Sequence, residues 1–282
     1  MNNIIFNGDP VHKYSYNNIF NSPNKDGIYC HICTPKWGYM LHRHDYIEIE
    51  YIVKGKIVHE LNGTEQTLGP GDGYGLSRRD LHSINIIEPV EIHNISIYIK
   101  QAPQAIQKLF SKIKFPFTFH LDKENLEKIN FIFFYLKDTL SNSDAFSSEI
   151  TSSLITLIAA ELFKLSKPID IPFPPKGYQY IEHTLRYIEE NFSNSINLVT
   201  ASDNIHVSPN YLSKIFSEIT GISFSDYLSK MRVEKAGIFL LNSDKSITEI
   251  AFECGFNSFS TFSRKFKSTY GCSPREYREN YK

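Results

Sequence analysis

The feature of this sequence that constrains its fold most is an internal repeat in the last third of the chain. Residues 208–227, shifted by 50 positions, overlay residues 258–277. The identical or chemically similar pairs are Ser208 with Ser258, Leu212 with Phe262, Ser213 with Ser263, Lys214 with Arg264, Phe216 with Phe266, Gly221 with Gly271, Ser223 with Ser273 and Tyr227 with Tyr277. Upstream, the same shift pairs Ala201 with Ala251. Because a solenoid usually needs about three repeats or more, two copies indicate a duplicated module.

Each copy has the pattern of a helix-turn-helix, in which a short helix, a tight turn and a longer helix follow one another. Ser208 and Pro209 are typical of a helix N-cap and first helical position. Gly221 and Gly271 are expected to end the longer helices, and Gly255 to supply the second turn. The segment between the copies, residues 224–243, predicts a helix of about 18 residues and hence about 27 Å. Since major-groove faces on one side of DNA lie about 34 Å apart, this helix can hold two recognition helices against one duplex.

Each of the two longer helices has an apolar stripe on one face. The other face carries short polar donors and cations. These residue types reach base edges and phosphates in a major groove. They are Asn210, Ser213 and Lys214 in the first copy and Ser260, Thr261, Ser263, Arg264 and Lys267 in the second. From Lys176 onward, 13 Lys and Arg stand against 12 Asp and Glu, but from Ser258 onward the count is 6 against 2. Positive charge is therefore concentrated on the second copy.

Residues 198–278 resemble the AraC/XylS family of transcription regulators. The motifs I-A-x-x-x-G-F, F-S-R-x-F-K, G-x-S-P and a closing Y-R all occur within ITEIAFECGFNSFSTFSRKFKSTYGCSPREYR. The resemblance implies double-stranded DNA as partner, with base contacts from Asn210, Ser213, Lys214, Phe259, Ser260, Thr261, Ser263 and Arg264. It further implies a small-molecule effector, possible links to carbohydrate metabolism, a homodimer and contact with RNA polymerase. An activator is the expected role.

The first half of the chain predicts an antiparallel β-barrel or sandwich followed by two helices. Residues 28–100 contain short β-branched runs separated by turn residues, and Asn62-Gly63 indicates a two-residue hairpin. Asp122 is a plausible N-cap for a helix whose stripe is Leu126, Ile129, Phe133, Leu136 and Leu140; a second helix has the stripe Ile150, Leu154, Ile158 and Leu162. These stripes either cover the barrel or pair with a second subunit. We expect the stripe of the first helix, with Leu126, Ile129, Phe133 and Leu136, to form the dimer interface.

A proline-rich segment separates the two halves. Pro168, Pro172, Pro174 and Pro175 prevent a helix and disfavour a central strand, so the segment predicts an extended linker. The expected domains are therefore 1–165 (effector binding and dimerisation), 166–177 (linker) and 178–282 (DNA binding). The fold class is α+β, with an N-terminal cupin-like antiparallel barrel, two covering or dimerisation helices, and a C-terminal all-α domain of two helix-turn-helix units joined by a helix.

The N-terminal half resembles the cupin signature. His42-x-His44, Glu48, Gly55, Pro70-Gly71-Asp72 and His82 stand in the expected order. His42, His44 and Glu48 share parity and are predicted on one strand, facing inward. Three interpretations are open: a polar pocket that binds an effector without metal, structural remnants, or a metal site. We expect the first, with His42, His44, Tyr46, Glu48, His82, His93 and Trp37 as effector-binding residues and with no metal or other cofactor.

Other sequence features restrict the function further. Cys30 and Cys33 are three apart on a predicted strand and have no second ligand pair nearby, so they indicate neither a zinc site nor a redox site. No catalytic nucleophile motif or glycine-rich nucleotide loop occurs, and we expect no enzyme. The lack of a signal peptide or a long apolar run predicts a cytoplasmic protein without membrane contact. Two alternatives to an effector-responsive regulator remain, namely a metal-dependent cupin enzyme fused to a DNA-binding domain and a DNA-binding protein whose N-terminal domain only dimerises.

Overall fold

The computed structural model describes residues 26–35, 38–142, 144–168 and 177–281. These residues belong to two compact units, one built on an antiparallel sheet and the other entirely helical. We call residues 26–168 the sheet domain and residues 177–281 the helical domain. The α+β class predicted from the sequence is confirmed, with strands and three helices in the sheet domain and only helices in the helical domain. None of the helices in the described part of the chain combines the length and apolar character of a membrane span.

The described residues of the sheet domain form eight strands. They are β1 (Ile28–Cys33), β2 (Tyr39–His42), β3 (Ile47–Leu61), β4 (Thr64–Leu68), β5 (Asp72–Leu76), β6 (His82–Ile97), β7 (Phe117–His120) and β8 (Lys167–Pro168). Their order in the sheet is β1-β6-β3-β5-β7-β8, while β2 also pairs with β6 and β4 with β3. The predicted hairpin at Asn62-Gly63 is confirmed: both residues have positive φ (50° and 85°), as a two-residue turn of this kind requires, and they join β3 to β4.

The described part of the sheet domain also forms three helices, α1 (Gln104–Phe110), α2 (Lys123–Ser141) and α3 (Ser147–Leu165). The Asp122 side chain accepts a hydrogen bond from the Asn125 amide and so caps α2, as predicted. Helices α2 and α3 pack their apolar stripes against one face of the sheet, and together with strand residues such as Tyr51 and Ile95 they form the larger hydrophobic core of this domain. A smaller core on the other side of the sheet includes Ile52 and Tyr74.

The prediction that the stripe of α2 forms a dimer interface is wrong. Ile129, Phe133 and Leu136 are at most 1% exposed in the core under the sheet, and Leu126 packs against that core. The period of 3.6 residues correctly identifies a buried face, but it cannot tell whether the sheet or a second subunit covers that face. The opposite face of α2 is the exposed one, with Phe131 75%, Phe134 49% and Tyr135 48% accessible.

The start of the predicted linker also differs in the structure. Lys167 and Pro168 pair with Thr118 and Phe117 of β7, at the end of the strand order. Proline is tolerated there because an edge strand does not need every backbone N–H for its ladder. The other prolines of the segment, Pro172, Pro174 and Pro175, lie outside the described residues.

The helical domain contains seven helices within residues 177–281. They are α4 (Tyr178–Asn191), α5 (Leu198–Asn204), α6 (Pro209–Thr220), α7 (Phe224–Asn242), α8 (Ile247–Glu253), α9 (Phe259–Tyr270) and α10 (Pro274–Tyr281). The two helix-turn-helix units are α5 with α6 and α8 with α9. The predicted connecting helix is α7, whose 19 residues give a length of about 28 Å.

The two copies of the repeat have equivalent helix caps and equivalent buried residues. The side chains of Ser208 and Ser258 cap α6 and α9, and each helix ends at a glycine, Gly221 or Gly271, with φ 74°. Several repeated apolar positions are buried in both copies. Leu212, Phe216, Phe262 and Phe266 are fully buried, and Tyr227 and Tyr277 are 1% exposed. The duplication therefore preserves the core and the helix ends.

Upstream of the turns the repeat is offset by one residue, so the predicted pairing of Ala201 with Ala251 is wrong. Val207 N–H donates to Ser202 O and Phe256 N–H donates to Ala251 O, both at 3.1 Å, so Ala251 corresponds to Ser202. The second turn is one residue longer because Asn257 precedes the N-cap of α9. Both short helices nevertheless begin with a capping box, at Asn197 and at Ser246.

Candidate functional sites

A buried cluster of imidazoles and carboxylates lies where β2, β3 and β6 meet. His42 ends β2 and pairs with His82, the first residue of β6, while Glu48 is the second residue of β3. His44 lies between β2 and β3, so the prediction that His42, His44 and Glu48 share one strand is wrong. The bend of residues 43–46 still directs the side chains of His44 and Glu48 into the same cluster, where each is 3% exposed.

Three polar atoms of this cluster converge on one point. The Nε2 atoms of His44 and His82 are 2.8 Å apart, and Glu48 Oε2 lies 3.2 Å from the first and 3.5 Å from the second. Among the described residues, no donor forms a hydrogen bond with Glu48 Oε2. His42 contributes a third imidazole, with a ring nitrogen of each histidine within 4.8 Å of the others. Four of the predicted effector residues are therefore neighbours.

Further side chains orient the members of the cluster. His42 Nδ1 lies 2.7 Å from the Met40 carbonyl, to which it can only donate. His59 Nε2 lies 3.3 Å from His82 Nδ1, and the His59 ring stacks on Tyr74 at 4.0 Å between centroids. Asn94 Nδ2 donates to Glu48 Oε1 at 2.7 Å, which fixes that carboxylate.

The polar network extends beyond the residues predicted from the sequence. Asn94 Nδ2 also donates to Glu50 Oε1 at 2.7 Å, Ser96 Oγ donates to Asn94 Oδ1 at 2.9 Å, and Tyr74 donates to Glu50 Oε2. The signal for these residues was present, because Glu48 and Glu50 alternate with Ile and Tyr on β3, and Asn94 and Ser96 alternate with Ile on β6. Such alternation places polar residues on one face of a strand. No comparable pattern indicated His59.

Burial dominates the electrostatics of the cluster. It raises the pKa of Glu48 to about 7 and that of Glu50 to about 8, although the hydrogen bonds from Asn94 oppose both shifts. Burial lowers the pKa of His44 and of His59 to about 3, and it holds the pKa of His82 well below its ordinary value. At neutral pH these imidazoles are therefore uncharged, and in each ring one nitrogen carries a proton and the other can only accept a hydrogen bond.

The remaining predicted effector residues are placed differently. The Tyr46 ring contacts His44 with 4.5 Å between centroids, so Tyr46 adjoins the cluster. His93 lies on the other face of the sheet, where it stacks on Phe133 of α2 and hydrogen-bonds Tyr51 Oη at 3.0 Å. The structure therefore does not bring His93 to the cluster. Trp37 lies outside the described residues.

In the first helix-turn-helix unit, the three predicted DNA-contacting residues share the exposed face of α6. Asn210, Ser213 and Lys214 are all exposed, and Lys214 Nζ is 3.9 Å from Glu218 Oε1 in a solvated pair. The buried stripe of α6, formed by Leu212, Ile215 and Phe216, faces the domain core. Within the helical domain, the polar face of α6 is therefore exposed.

In the second unit, α9 presents a larger and more basic face. Five of the predicted residues are exposed and Ser263 is partly exposed; the exposed ones are Phe259, Ser260, Thr261, Arg264 and Lys267. Thr261 Oγ1 accepts from the cap residue Ser258 at 3.0 Å. Lys265, which the sequence did not single out, lies 3.2 Å from Asp226 of α7 and so ties the helix to its support.

Comparison with known proteins agrees with this architecture. An AraC-like ligand binding domain matches residues 26–157, and a helix-turn-helix domain matches residues 201–280. The chain is 24% identical over 251 residues to the HTH-type transcriptional activator RhaS of Escherichia fergusonii, covering 87% of this chain and 89% of that protein. It is 25% identical over 253 residues to the activator RhaR of Pectobacterium carotovorum, covering 88% of each.

Comparison with a solved structure supports the fold of the chain but carries no information about its function. The crystal structure of a single-residue variant of apo ToxT from Vibrio cholerae has a TM-score of 0.52 and 16% identity, and the match covers 89% of this chain and 97% of that one. Two features thus identify one class of protein. They are the sheet domain, which matches a ligand-binding family, and the duplicated helix-turn-helix motif. The chain belongs to the AraC/XylS family of ligand-responsive, DNA-binding transcription regulators.

Proposed function

We propose that this regulator activates transcription by placing α6 and α9 in adjacent major-groove segments of one duplex. The observation that carries this proposal is the pair of equivalent helices with exposed polar faces on either side of α7. A helix of about 28 Å suits a groove repeat of about 34 Å. Activation rests on the relatives RhaS and RhaR, which are activators, and implies contact with RNA polymerase.

Within this arrangement α9 makes the larger contribution to specificity. Arg264 can donate two hydrogen bonds to a guanine, and Phe259, 41% exposed, can contact a thymine methyl group. Lys267 lies one turn further along α9 and is suited to a phosphate. On α6, Asn210, Ser213 and Lys214 have shorter or already paired side chains and make a smaller contribution.

The effector binds, in this proposal, at the polar network of the sheet domain. Buried carboxylate, amide and imidazole groups are costly to bury without partners, so such a concentration suits a guest rich in hydroxyl groups. Carbohydrates and related polyols are the class that fits. A thermal-shift screen of sugars tests this assignment, because a compound that binds only the folded state raises the melting temperature.

A homodimer would join two such chains through the exposed face of α2. Phe131, Phe134 and Tyr135 are spaced to lie together on one side of the helix, and each is about half exposed or more. Exposed aromatic side chains in such a group are typical of protein interfaces. The partner in this proposal is a second copy of the chain. A symmetric pair of α2 helices would remove the three rings of each chain from water.

The experiment that tests DNA recognition is selection of duplexes from a random library by the full-length protein. We expect enrichment of a motif with two conserved blocks whose centres are about 10 base pairs apart, one for each recognition helix. Selection by Arg264→Ala should lose conservation in one block only. Failure to enrich any motif, with folded protein and at moderate salt, would contradict the proposal.

A further inference from the structure

An arginine of the connecting helix α7 binds the C-terminal end of α4. Arg232 Nε donates to the Phe192 carbonyl at 2.7 Å, and its Nη2 donates to the Asn194 carbonyl at 2.8 Å. Phe192 is the C-cap of α4, and the last carbonyls of a helix have no partner within that helix. Lys235, about one turn further along α7, has its Nζ 5.9 Å from the centre of the Phe192 ring. Arg232 therefore holds the segment before the first helix-turn-helix unit against α7.

The turn of the second helix-turn-helix unit lies against the same arginine. Gly255 has φ 82° in that turn, and a Cβ at this position would lie 2.6 Å from the Phe192 carbonyl oxygen and 2.9 Å from Arg232 Nε. The backbone of the second unit thus passes close to both the donor and the acceptor of this hydrogen bond. Three segments meet at Arg232, namely the end of α4, the middle of α7 and the turn between α8 and α9.

A second arginine makes an equivalent pair of hydrogen bonds at the second unit. Arg278 of α10 donates from Nε to the Leu240 carbonyl at 3.2 Å and from Nη2 to the Lys245 carbonyl at 2.7 Å. It therefore holds the end of α7 and the segment before α8, as Arg232 holds the end of α4 and the segment before α5. Arg278 and both of its acceptors lie in or beyond the C-terminal part of α7, so these bonds hold the second unit to α7.

Another link between α7 and the second unit is an ion pair at the surface. Lys265 Nζ of α9 lies 3.2 Å from Asp226 Oδ1 of α7, with the two side chains 40% and 62% exposed. Exposed ion pairs of this kind contribute little, because water and mobile side chains weaken them. Arg232 is only partly exposed, and its planar guanidinium loses little freedom for each hydrogen bond that it forms. The contact at Arg232 is therefore the firmer constraint on how the two units are oriented.

We infer that Arg232 is a positioning residue that fixes the number of base pairs between the two blocks of the DNA site. The inference rests on the proposed binding of α6 and α9 to adjacent major-groove segments. Both recognition helices pack on α7, so any pivoting of the first unit on α7 changes the distance and the rotation between them. One base pair moves the two blocks apart by about 3.4 Å and rotates them by about 35°. With Arg232 in place the protein accepts one spacing, and without it the protein accepts neighbouring spacings as well.

Anisotropy titrations of full-length protein with the selected duplex, and with duplexes that have one base pair more or one fewer between the blocks, test the inference. The quantity compared is the spacing ratio, defined as Kd for an altered spacing divided by Kd for the selected spacing. For wild type we expect a ratio of ~10 or more, because a displaced block should cost at least as much as a mismatched base pair. Arg232→Ala should bind the selected duplex more weakly and lower the ratio to ~3 or less, because its first unit can follow the displaced block.

Arg278→Ala is the matched control, since it removes the equivalent pair of hydrogen bonds at the second unit. It should weaken binding to all of these duplexes by the same factor and keep the wild-type spacing ratio. Arg232→Lys keeps the charge but loses the forked geometry of the guanidinium, so its ratio should lie between those of wild type and Arg232→Ala. Circular dichroism checks folding, and Arg232→Lys takes the place of Arg232→Ala if the alanine variant is unfolded.

The outcomes separate this inference from the proposed mode of DNA binding. A general loss of stability would weaken binding at every spacing and leave the ratio unchanged, so the ratio reports positioning. A wild-type ratio near 1, a wild-type ratio retained in the folded Arg232 variant, or an equal fall of the ratio in Arg278→Ala would overturn the role of Arg232. A wild-type protein that selects no site with two blocks would contradict the proposed binding of α6 and α9 itself.

Discussion

His206 and Gly255 occupy the same position in the turns of the two helix-turn-helix units, with φ of 58° and 82°. Each follows the C-cap of its short helix, and each amide donates to the carbonyl three residues earlier, at 3.3 Å and 2.9 Å. One copy thus uses glycine for a left-handed conformation, and the other holds a histidine in it.

This difference predicts opposite effects of substitution on stability. His206→Gly should raise the free energy of unfolding by up to ~1 kcal/mol, because glycine adopts positive φ without steric cost. Gly255→Ala should lower it by at least ~1 kcal/mol, since a Cβ there would lie 2.6 Å from the Phe192 carbonyl oxygen in addition to the strain. The thermal unfolding transition of the helical domain measures both effects. Equal effects of the two substitutions would contradict the claim that His206 and Gly255 occupy equivalent turn positions.

The exposed face of α2 predicts a second outcome. Phe131→Glu with Tyr135→Glu should convert the proposed dimer to a monomer and leave the melting temperature of the monomer nearly unchanged, because within one chain Phe131 is 75% exposed and Tyr135 48%. Ile129→Glu should instead unfold the sheet domain, because it buries a charge in the core. Light scattering together with circular dichroism distinguishes the cases. A double variant that remains a folded dimer would assign the interface elsewhere.

The buried glutamates predict how the stability of the protein depends on pH. The pKa of Glu50 is raised to about 8 and that of Glu48 to about 7, so the folded state holds protons that the unfolded state has released, and stability falls as pH rises through these values. The histidines have lowered pKa values and act in the opposite sense, but only below about 6.5, where the unfolded chain gains protons.

The melting temperature should therefore fall between about pH 6.5 and 8. Glu50→Gln should make that decline shallower, because glutamine can accept from Asn94 and donate to Tyr74 without a titrating charge. Glu65→Gln, at an exposed position of β4, is the control and should leave the profile unchanged. An identical decline in Glu50→Gln and wild type would show that Glu50 does not titrate as its burial implies.

The sequence predicted the helical domain well because its signals are local. N-caps such as Ser208, terminal glycines such as Gly221 and an apolar stripe of period 3.6 each fix a helix without reference to the rest of the chain. The error in pairing Ala201 with Ala251 arose because one inserted turn residue shifts a repeat without changing its pattern.

The sheet domain was harder to predict because its site depends on contacts distant in sequence. His82 joins His44 and Glu48 through the pairing of β6 with both β2 and β3, and the parity argument failed where the chain bends at residues 43–46. Parity along β6 could not show that His93 faces α2 while Asn94 faces the cluster, since that choice depends on which face the helices cover. For the same reason the covering partner of the α2 stripe was misassigned.

The most direct test of the account is the affinity of full-length protein for its selected duplex and for a shuffled duplex of the same composition, measured by fluorescence anisotropy at several salt concentrations. Wild type should bind the selected duplex at least ~1,000-fold more tightly. Arg264→Ala should lose ~1–3 kcal/mol on the selected duplex alone, and Lys267→Ala should weaken both duplexes and lower the salt slope by about 1. Equal affinity of wild type for the selected and shuffled duplexes would contradict the claim that α6 and α9 read DNA sequence.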